Sequence, residues 1–391
     1  MVDAAIAWRA LGGRVWFVAP TGCAATHRQS VVEMLREAHS DVRPDIVTWP
    51  LAPSFEFGTS SHRAHTYAGA IEKTVPRGVP IIVSDDPAAW AAAAMLAERN
   101  PFVGVAHQDE KSYYANANRY QNQLAGLACV SNRICERLKR SITRIDLPVT
   151  TIPCGIPRVE VVPRANGRMD GDNRLAWVGR IEEASKRVSD LPRITIALRE
   201  AAVPFHVDIV GDGPDRSVIE KQISAAGLSP QVSFHGWLDR SEVCAILADT
   251  DVFLLPSNFE GMSVAVMEAL AAGCAVVCSR TSGIEDYMTD ERAERCVWTY
   301  PIGDVLQAVR CIRQALNQSS HERRARSVAF ARSAFSIEHC VEAYATLLGR
   351  LRPPSSRQSA ALPRIIRARL SAVASRPIAA LRSGRLATTA E

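Results

Sequence analysis

Short runs of β-branched, leucine and aromatic residues recur along almost the whole chain, each followed by a helix-like stretch, and the series occurs twice. In the first half the candidate strands are "RVWFVAP", "DIVTWPL", "VPIIVSDD", "FVGVAHQD", "LAGLACVS" and "VTTIPCG". A polar, glycine-containing break follows at Arg164–Arg174, "RANGRMDGDNR". The series then restarts with "RLAWVGR", "HVDIVGDG", "VSFHGW", "DVFLLPS", "AVVCS" and "RCVWTYP". Near-continuous apolar strands alternating with helices read as repeated βαβ units and a parallel sheet covered on both faces. The expected fold is therefore α/β, with two doubly wound, Rossmann-like parallel-sheet domains joined by a linker. A ligand site is expected in the cleft between them, at the carboxyl ends of the strands.

At 391 residues the chain is too long for one ordinary core and suits two. The expected division is an N-terminal domain over 1–165, a C-terminal domain over 172–335, a closing amphipathic helix over 336–352 and a basic tail over 353–391. That tail carries seven arginines against one acid, Glu391. It reads as a disordered basic segment, or, through "LPRIIRARLSAV", as a short amphipathic helix on an anionic membrane surface.

A formal charge of +5 is too small to argue for nucleic acid as a partner. Trp8, Arg9 and Arg14 interrupt what would be the apolar run of a signal peptide. No uninterrupted apolar stretch reaches the roughly 18 residues of a membrane span. Ten cysteines without a CxxC pair, several in apolar runs (Cys129, Cys154, Cys274, Cys278), suit buried thiols of a reducing cytosol rather than a zinc site. The expected location is cytoplasmic, with peripheral contact at the inner face of the membrane open through the tail.

The chemistry concentrates in the second half. In "SNFEGMSVAVMEALAAGCAVVCS" two glutamates, Glu260 and Glu268, are separated by seven residues, and Glu268 is the only charged residue between Glu260 and Arg280. The segment reads as strand, tight loop and helix. Gly261 allows close backbone approach, Ser263 is the expected N-cap, and the helix start offers free N–H groups to an anion. A carboxylate more than one turn into such a helix can accept both vicinal hydroxyls of a ribose. It could equally pair with an arginine. Upstream, "LAWVGRIEEASKRVSD" ends a strand at Gly179, places Arg180 next and Lys186 six residues later, two cations suited to a diphosphate. "VGDGPDR" is a further glycine turn after a strand, but Arg216 occupies the third glycine position of the dinucleotide fingerprint. That leaves little support for a Rossmann oxidoreductase. The metal-binding look of "DTD" (Asp249–Asp251) and "DGD" (Asp170–Asp172) reads as coincidence.

Together these motifs resemble the retaining GT-B glycosyltransferases of family 4 (glycosyl transferases group 1). "WVGRIEEASK", "VDIVGDGPDR", "VSFHGWLDRSEVCAILADTDVFLLPS" and "EGMSVAVMEALAAGCAVVCS" follow in the family's order over about Leu175–Leu351, with Cys274–Ala275 replacing the usual residues before Val276. The resemblance implies that Gly179, Arg180, Lys186, Gly211, Gly261, Met262, Ser263 and Glu268 bind the nucleotide-sugar donor. Arg180 and Lys186 would meet its diphosphate and Glu268 its ribose, while Gly236–Leu238 would border the base. It also implies that Glu260 and His107, the latter in "FVGVAHQDEKSYY", meet the donor sugar as catalytic residues. "ACVSNRICERL" and "TIPCGI" resemble the family's next strand–helix and its crossover, with Cys154 in place of asparagine. The family opens with a strand and a glycine-rich loop before the helix that "AAIAWRALGG" resembles, so the expectation is either a misassigned start or a first, acceptor-side domain lacking that strand and loop.

The function so implied is transfer of a sugar from a nucleotide-diphosphate donor to a saccharide or lipid-linked saccharide hydroxyl, with retention. It would need no metal or other cofactor, and would serve cell-envelope or exopolysaccharide synthesis. A non-catalytic nucleotide-sugar-binding protein, or a silent partner in an assembly complex, is the alternative.

Overall fold

The computed structural model describes residues 60–156 and 173–351, together with the strand backbones of 16–21 and 45–50. The opening helix-like stretch, the 157–172 connection with Asp170–Asp172, and the segment after Leu351 lie outside the described residues. All twelve candidate runs contain strands. β1 (Trp16–Thr21) and β2 (Asp45–Pro50) pair in parallel. β3 (Ile81–Val83), β4 (Phe102–Ala106), β5 (Leu124–Cys129) and β6 (Val149–Thr151) form a parallel sheet in that order.

The first-domain helices are α1 (Ser60–Thr74), α2 (Pro87–Met95), α3 (Lys111–Tyr120) and α4 (Asn132–Ser141). α2 starts where Pro87 fixes φ and the Asp86 carboxylate accepts the Ala88 N–H at 2.8 Å. Its alanines let it lie close to the sheet, with Trp90 fully buried. Gly104 in β4 makes room for that indole, because a Cβ there would lie 2.1 Å from the Trp90 ring.

In the second half β7 (Arg174–Val178), β8 (His206–Val210), β9 (Val232–Gly236), β10 (Val252–Leu255), β11 (Ala275–Ser279) and β12 (Val297–Tyr300) make an all-parallel sheet in the order β12-β11-β10-β7-β8-β9. The period of two is explicit in β10. Val252 and Leu254 enter one core with Trp177 and Ile209, while Phe253 and Leu255 enter the other with Val276 and Cys278. Both faces are covered at the centre of this sheet, where β10 and β11 are buried throughout, which explains why these two strands read as unbroken apolar runs. Burial raises the thiol pKa of Cys274 to about 12, so this cysteine packs as a small apolar group.

α5 (Glu183–Lys186), α6 (Asp190–Glu200), α7 (Arg216–Ala225), α8 (Arg240–Asp249), α9 (Val264–Ala272), α10 (Ser282–Met288), α11 (Val305–Leu316) and α12 (Ser320–Ala334) flank this sheet. α9 stops where Gly273 takes φ +92°, a left-handed cap that a side chain would strain. The "DTD" string has a structural task. Asp251 is buried, accepts Arg323 Nη2 at 2.9 Å and takes the Arg174 N–H at 3.0 Å, which ties α12 to the start of β7.

The closing helix, α13 (Ile337–Gly349), returns to the first sheet. Ile337, Cys340, Tyr344 and Leu347 belong to that core, and Leu347 and Leu351 cover Gly126. The first domain is thus completed by the end of the described chain. Among the described residues no helix is long and apolar enough to cross a membrane.

Candidate donor site in the cleft

The strand order of the second sheet reverses between β7 and β10, and in an open α/β sheet the crevice beyond such a switch point is where ligands bind. The loop after β7 carries Gly179, Arg180 and, through the short α5, Lys186. The loop after β10 carries Ser257 to Ser263 and opens α9. The two loops meet directly. Lys186 Nζ donates to Glu260 Oε1 at 2.6 Å, and Ser257 Oγ donates to the same oxygen at 2.7 Å. Glu260 is only 7% exposed. The ammonium and the hydroxyl replace the hydration that enclosure takes from this carboxylate.

The sequence aimed Lys186 at a diphosphate and set Glu260 at the mouth of the loop. In the structure the ammonium is bound to Glu260, and Glu260 lies beneath the surface. Arg180 stands apart, its side chain 62% exposed and 3.8 Å from Glu182. It remains a cation open to the cleft rim.

Further contacts hold the two loops in register. Asn258 N–H donates to the Ser185 carbonyl at 2.9 Å, Asn258 Nδ2 to the Ala184 carbonyl at 3.0 Å, and Arg187 Nη1 to Asn258 Oδ1 at 3.2 Å. Arg187 caps α5 in a left-handed conformation (φ 45°) and is itself held by Asp190 at 2.8 Å. Ser257, Asn258 and Arg187 escaped the sequence reading. The only signal was their adjacency to motif residues, and a polar residue beside a motif carries no spacing that distinguishes it.

α9 begins at Ser263, which occupies the N-cap position but makes no side-chain capping bond. The first N–H groups of the helix are therefore not consumed by a Ser263 side-chain cap, and they carry the positive end of the helix dipole at the end of the loop after β10. Glu268 lies one turn further along. Its carboxylate is 19% exposed and 3.6 Å from Arg240 Nη2 on α8, so the pairing with an arginine that the sequence left open is present.

The glycines act through backbone proximity. A Cβ on Gly211 (φ +126°) would meet the Gly179 carbonyl oxygen at 1.8 Å, so these two strand-end turns pack directly on each other. Gly236, which ends β9, has Arg216 Nη1 3.3 Å from its would-be Cβ, and that guanidinium is fixed by Asp212 and Glu220.

The first domain faces this site through the ends of β4 and β5. His107 follows β4, and its carbonyl oxygen would lie 1.6 Å from a Cβ on Gly261. One candidate residue of each domain thus meets the other in direct backbone contact. Met262 Sδ accepts the Cys154 N–H at 3.1 Å from the crossover.

Burial lowers the His107 pKa, and the Asp85 carboxylate, itself held by the Tyr113 hydroxyl, offsets this in part. His107 is accordingly neutral at physiological pH and can exchange neutral hydrogen bonds with a sugar hydroxyl. The unfolded chain takes up a proton at the ordinary histidine value of about 6.5 and the folded chain only below it. Stability tied to His107 is therefore full above that value and is lost as pH falls through it. In an NMR titration the His107 ring should show a midpoint below about 6.5, whereas a midpoint at or above that value contradicts the assignment of a desolvated, neutral ring.

With this geometry in view, comparisons with known proteins place the chain. Residues 159–333 match the family described as glycosyl transferases group 1. That segment, a little less than half of the chain, is similar to the family.

Among curated relatives, a 2-deoxystreptamine N-acetyl-D-glucosaminyltransferase of Streptomyces fradiae is 27% identical over 209 residues, 51% of this chain and 48% of the relative. A GDP-mannose-dependent alpha-(1-6)-phosphatidylinositol dimannoside mannosyltransferase of Mycobacterium tuberculosis is 38% identical over 94 residues, 24% of each chain. The chain spans about half the length, or less, of the first curated relatives it matches. Among solved structures, HepE of Anabaena in complex with UDP and glucose superposes with a TM-score of 0.69 at 14% identity, covering 90% of this chain and 95% of that one. The fold is the two-domain GT-B architecture.

Proposed function

We propose that this protein is a glycosyltransferase that moves a sugar from a nucleotide-diphosphate donor to a hydroxyl acceptor with retention. The observation that carries the reading is the Lys186–Glu260–Ser257 cluster at the strand switch point, at the uncapped start of α9 and facing His107. Such a crevice suits an anionic donor whose charge grows as the diphosphate leaves. The α9 N–H groups, Lys186 and Arg180 would stabilise that charge, a contribution that is electrostatic and requires no metal in this reading.

In the reaction the bond from the anomeric carbon to the diphosphate oxygen breaks, and the acceptor oxygen bonds to the same face of that carbon. The acceptor proton passes to the departing diphosphate. Glu260 and neutral His107 hold the sugar hydroxyls, and Glu268 holds the ribose diol. The relatives named for 2-deoxystreptamine and for a phosphatidylinositol dimannoside support hydroxyl acceptors that include lipid-linked saccharides, and the HepE complex with UDP and glucose supports a nucleotide-diphosphate sugar as donor. Synthesis of envelope or exported glycans is the setting that fits these acceptors.

Calorimetric titration with UDP, GDP and ADP tests the donor assignment, on wild type and on Glu268→Ala. One nucleotide should bind, and the variant should bind it at least about tenfold more weakly, since a ribose diol loses two hydrogen bonds to a charged acceptor. Equal affinity in the variant would assign Glu268 to its ion pair with Arg240 alone. Binding without turnover against any acceptor would favour a non-catalytic nucleotide-sugar-binding protein.

A further inference from the structure

α10 touches both halves of the cleft. At its start Ser282 Oγ donates to the Glu260 carbonyl at 2.5 Å, and the Gly283 N–H donates to the same oxygen at 3.3 Å. Gly283 lies so close to the donor loop that a Cβ on it would be 1.9 Å from the Gly261 carbonyl oxygen. One turn further, α10 reaches the other domain. Asp286 Oδ2 accepts the N–H of Asn132, the first residue of α4, at 2.6 Å, and Glu285 pairs with the guanidinium of Arg133. Arg133 Nε is also 3.8 Å from Asp109, which pairs with Arg137 and stands two residues after His107.

These contacts close a ring. From His107 it runs through Asp109, Arg133 and Glu285 into α10, then through Gly283 and the Glu260 carbonyl to Gly261, which abuts His107. We propose that Arg133, Glu285 and Asp286 are positioning residues: they form an interdomain clasp that sets His107 of the first domain in register with the donor loop of the second. The inference rests on the glycosyltransferase reading for its effect on turnover, and on geometry alone for the clasp itself. Arg133 and Glu285 are each about two-fifths exposed (41% and 37%), so their pair adds little to global stability. What it supplies is alignment, on which bound-state reactivity depends steeply.

The test uses the full chain and three variants, Glu285→Lys, Asp286→Ala and Asp286→Asn. Hydrogen exchange of the segment containing Asn132 reads the clasp, and hydrolysis of UDP-glucose, GDP-mannose and ADP-glucose reads turnover. We expect the Asn132 amide to be slow in wild type, fast in Asp286→Ala, and slow again in Asp286→Asn, whose carbonyl oxygen still accepts. Glu285→Lys and Asp286→Ala should lower kcat about tenfold with KM within about threefold, and Asp286→Asn should stay within about threefold of wild type. Equal Asn132 exchange in wild type and Asp286→Ala, or unchanged kcat in both disrupting variants, overturns the clasp. If wild type hydrolyses none of the three sugar nucleotides and binds none of UDP, GDP and ADP, the glycosyltransferase reading fails, and the exchange arm still decides the clasp.

Discussion

Lys186→Ala is expected to lower turnover of the donor by about 10²- to 10³-fold, the loss typical of removing one preorganised electrostatic partner from a site where charge develops. The effect has two parts that can be separated. Removing the ammonium subtracts a cation from the crevice, and it also leaves Glu260, 7% exposed, with only Ser257 Oγ as its partner among the side-chain bonds described. An enclosed carboxylate that has lost its cation destabilises the fold. Because Lys186 keeps 23% exposure, the cost is set below that of a fully buried pair, at about 2 kcal/mol.

For a domain of about 150 to 250 residues unfolding as a unit, that is a drop in Tm of about 4 to 8 °C. Lys186→Ala/Glu260→Gln removes the unpaired charge, so it should regain most of the Tm while turnover stays low. A thermal melt and a single-turnover assay on the two variants decide the matter. If the single variant melts like wild type, the pair is not a feature of the folded protein. If the double variant recovers turnover as well, Lys186 acts only by neutralising Glu260.

Gly261→Ala is the second large effect. Its new Cβ would lie 1.6 Å from the His107 carbonyl oxygen, 2.5 Å from the His107 carbonyl carbon and 2.9 Å from the Gln108 Cα, all of them backbone atoms. No rotamer can relieve a clash with backbone, and the Gly261 carbonyl is itself packed close against Gly283. The two domains must separate by roughly 2 Å to restore van der Waals distance. A misplacement of that order between groups from the two domains is enough to cost 10²-fold or more in turnover.

Nucleotide affinity should change far less, because the diphosphate and ribose contacts proposed here all come from the second domain. Calorimetry beside steady-state kinetics reads this split. A Gly261→Ala variant that turns over normally would mean that the His107–Gly261 approach is not needed for reaction. The proposed clasp predicts the same kind of split from residues on another side of the interface, so the two results bear on each other.

Local chemistry explains what could be read from the chain alone. Strands covered on both faces need unbroken apolar runs, and β4, β5, β10 and β11, buried throughout, were legible for that reason. The helix after the E-x7-E loop was legible because Gly273 must take a left-handed cap and no polar residue but Glu268 interrupts its apolar face. The positions of Glu260, Gly261 and Glu268 on loop and helix follow from those local rules, as does Gly179 at the end of β7.

Only the tertiary structure decided which of these groups touch. Lys186 and Glu260 are 74 positions apart, Glu285 and Arg133 are 152 apart, and Asn132 and Asp286 are 154 apart. No spacing rule links positions so distant, because their meeting depends on strand order and on how the two domains abut. The same holds for Ser257, a short polar residue whose hydroxyl matters only because the β7–β10 switch brings Glu260 and Lys186 to it. It holds too for α13, whose apolar stripe announced a helix but not that its partner would be the sheet of the first domain. Periodicity specifies that a face must be buried, whereas the shape of the rest of the molecule decides against what.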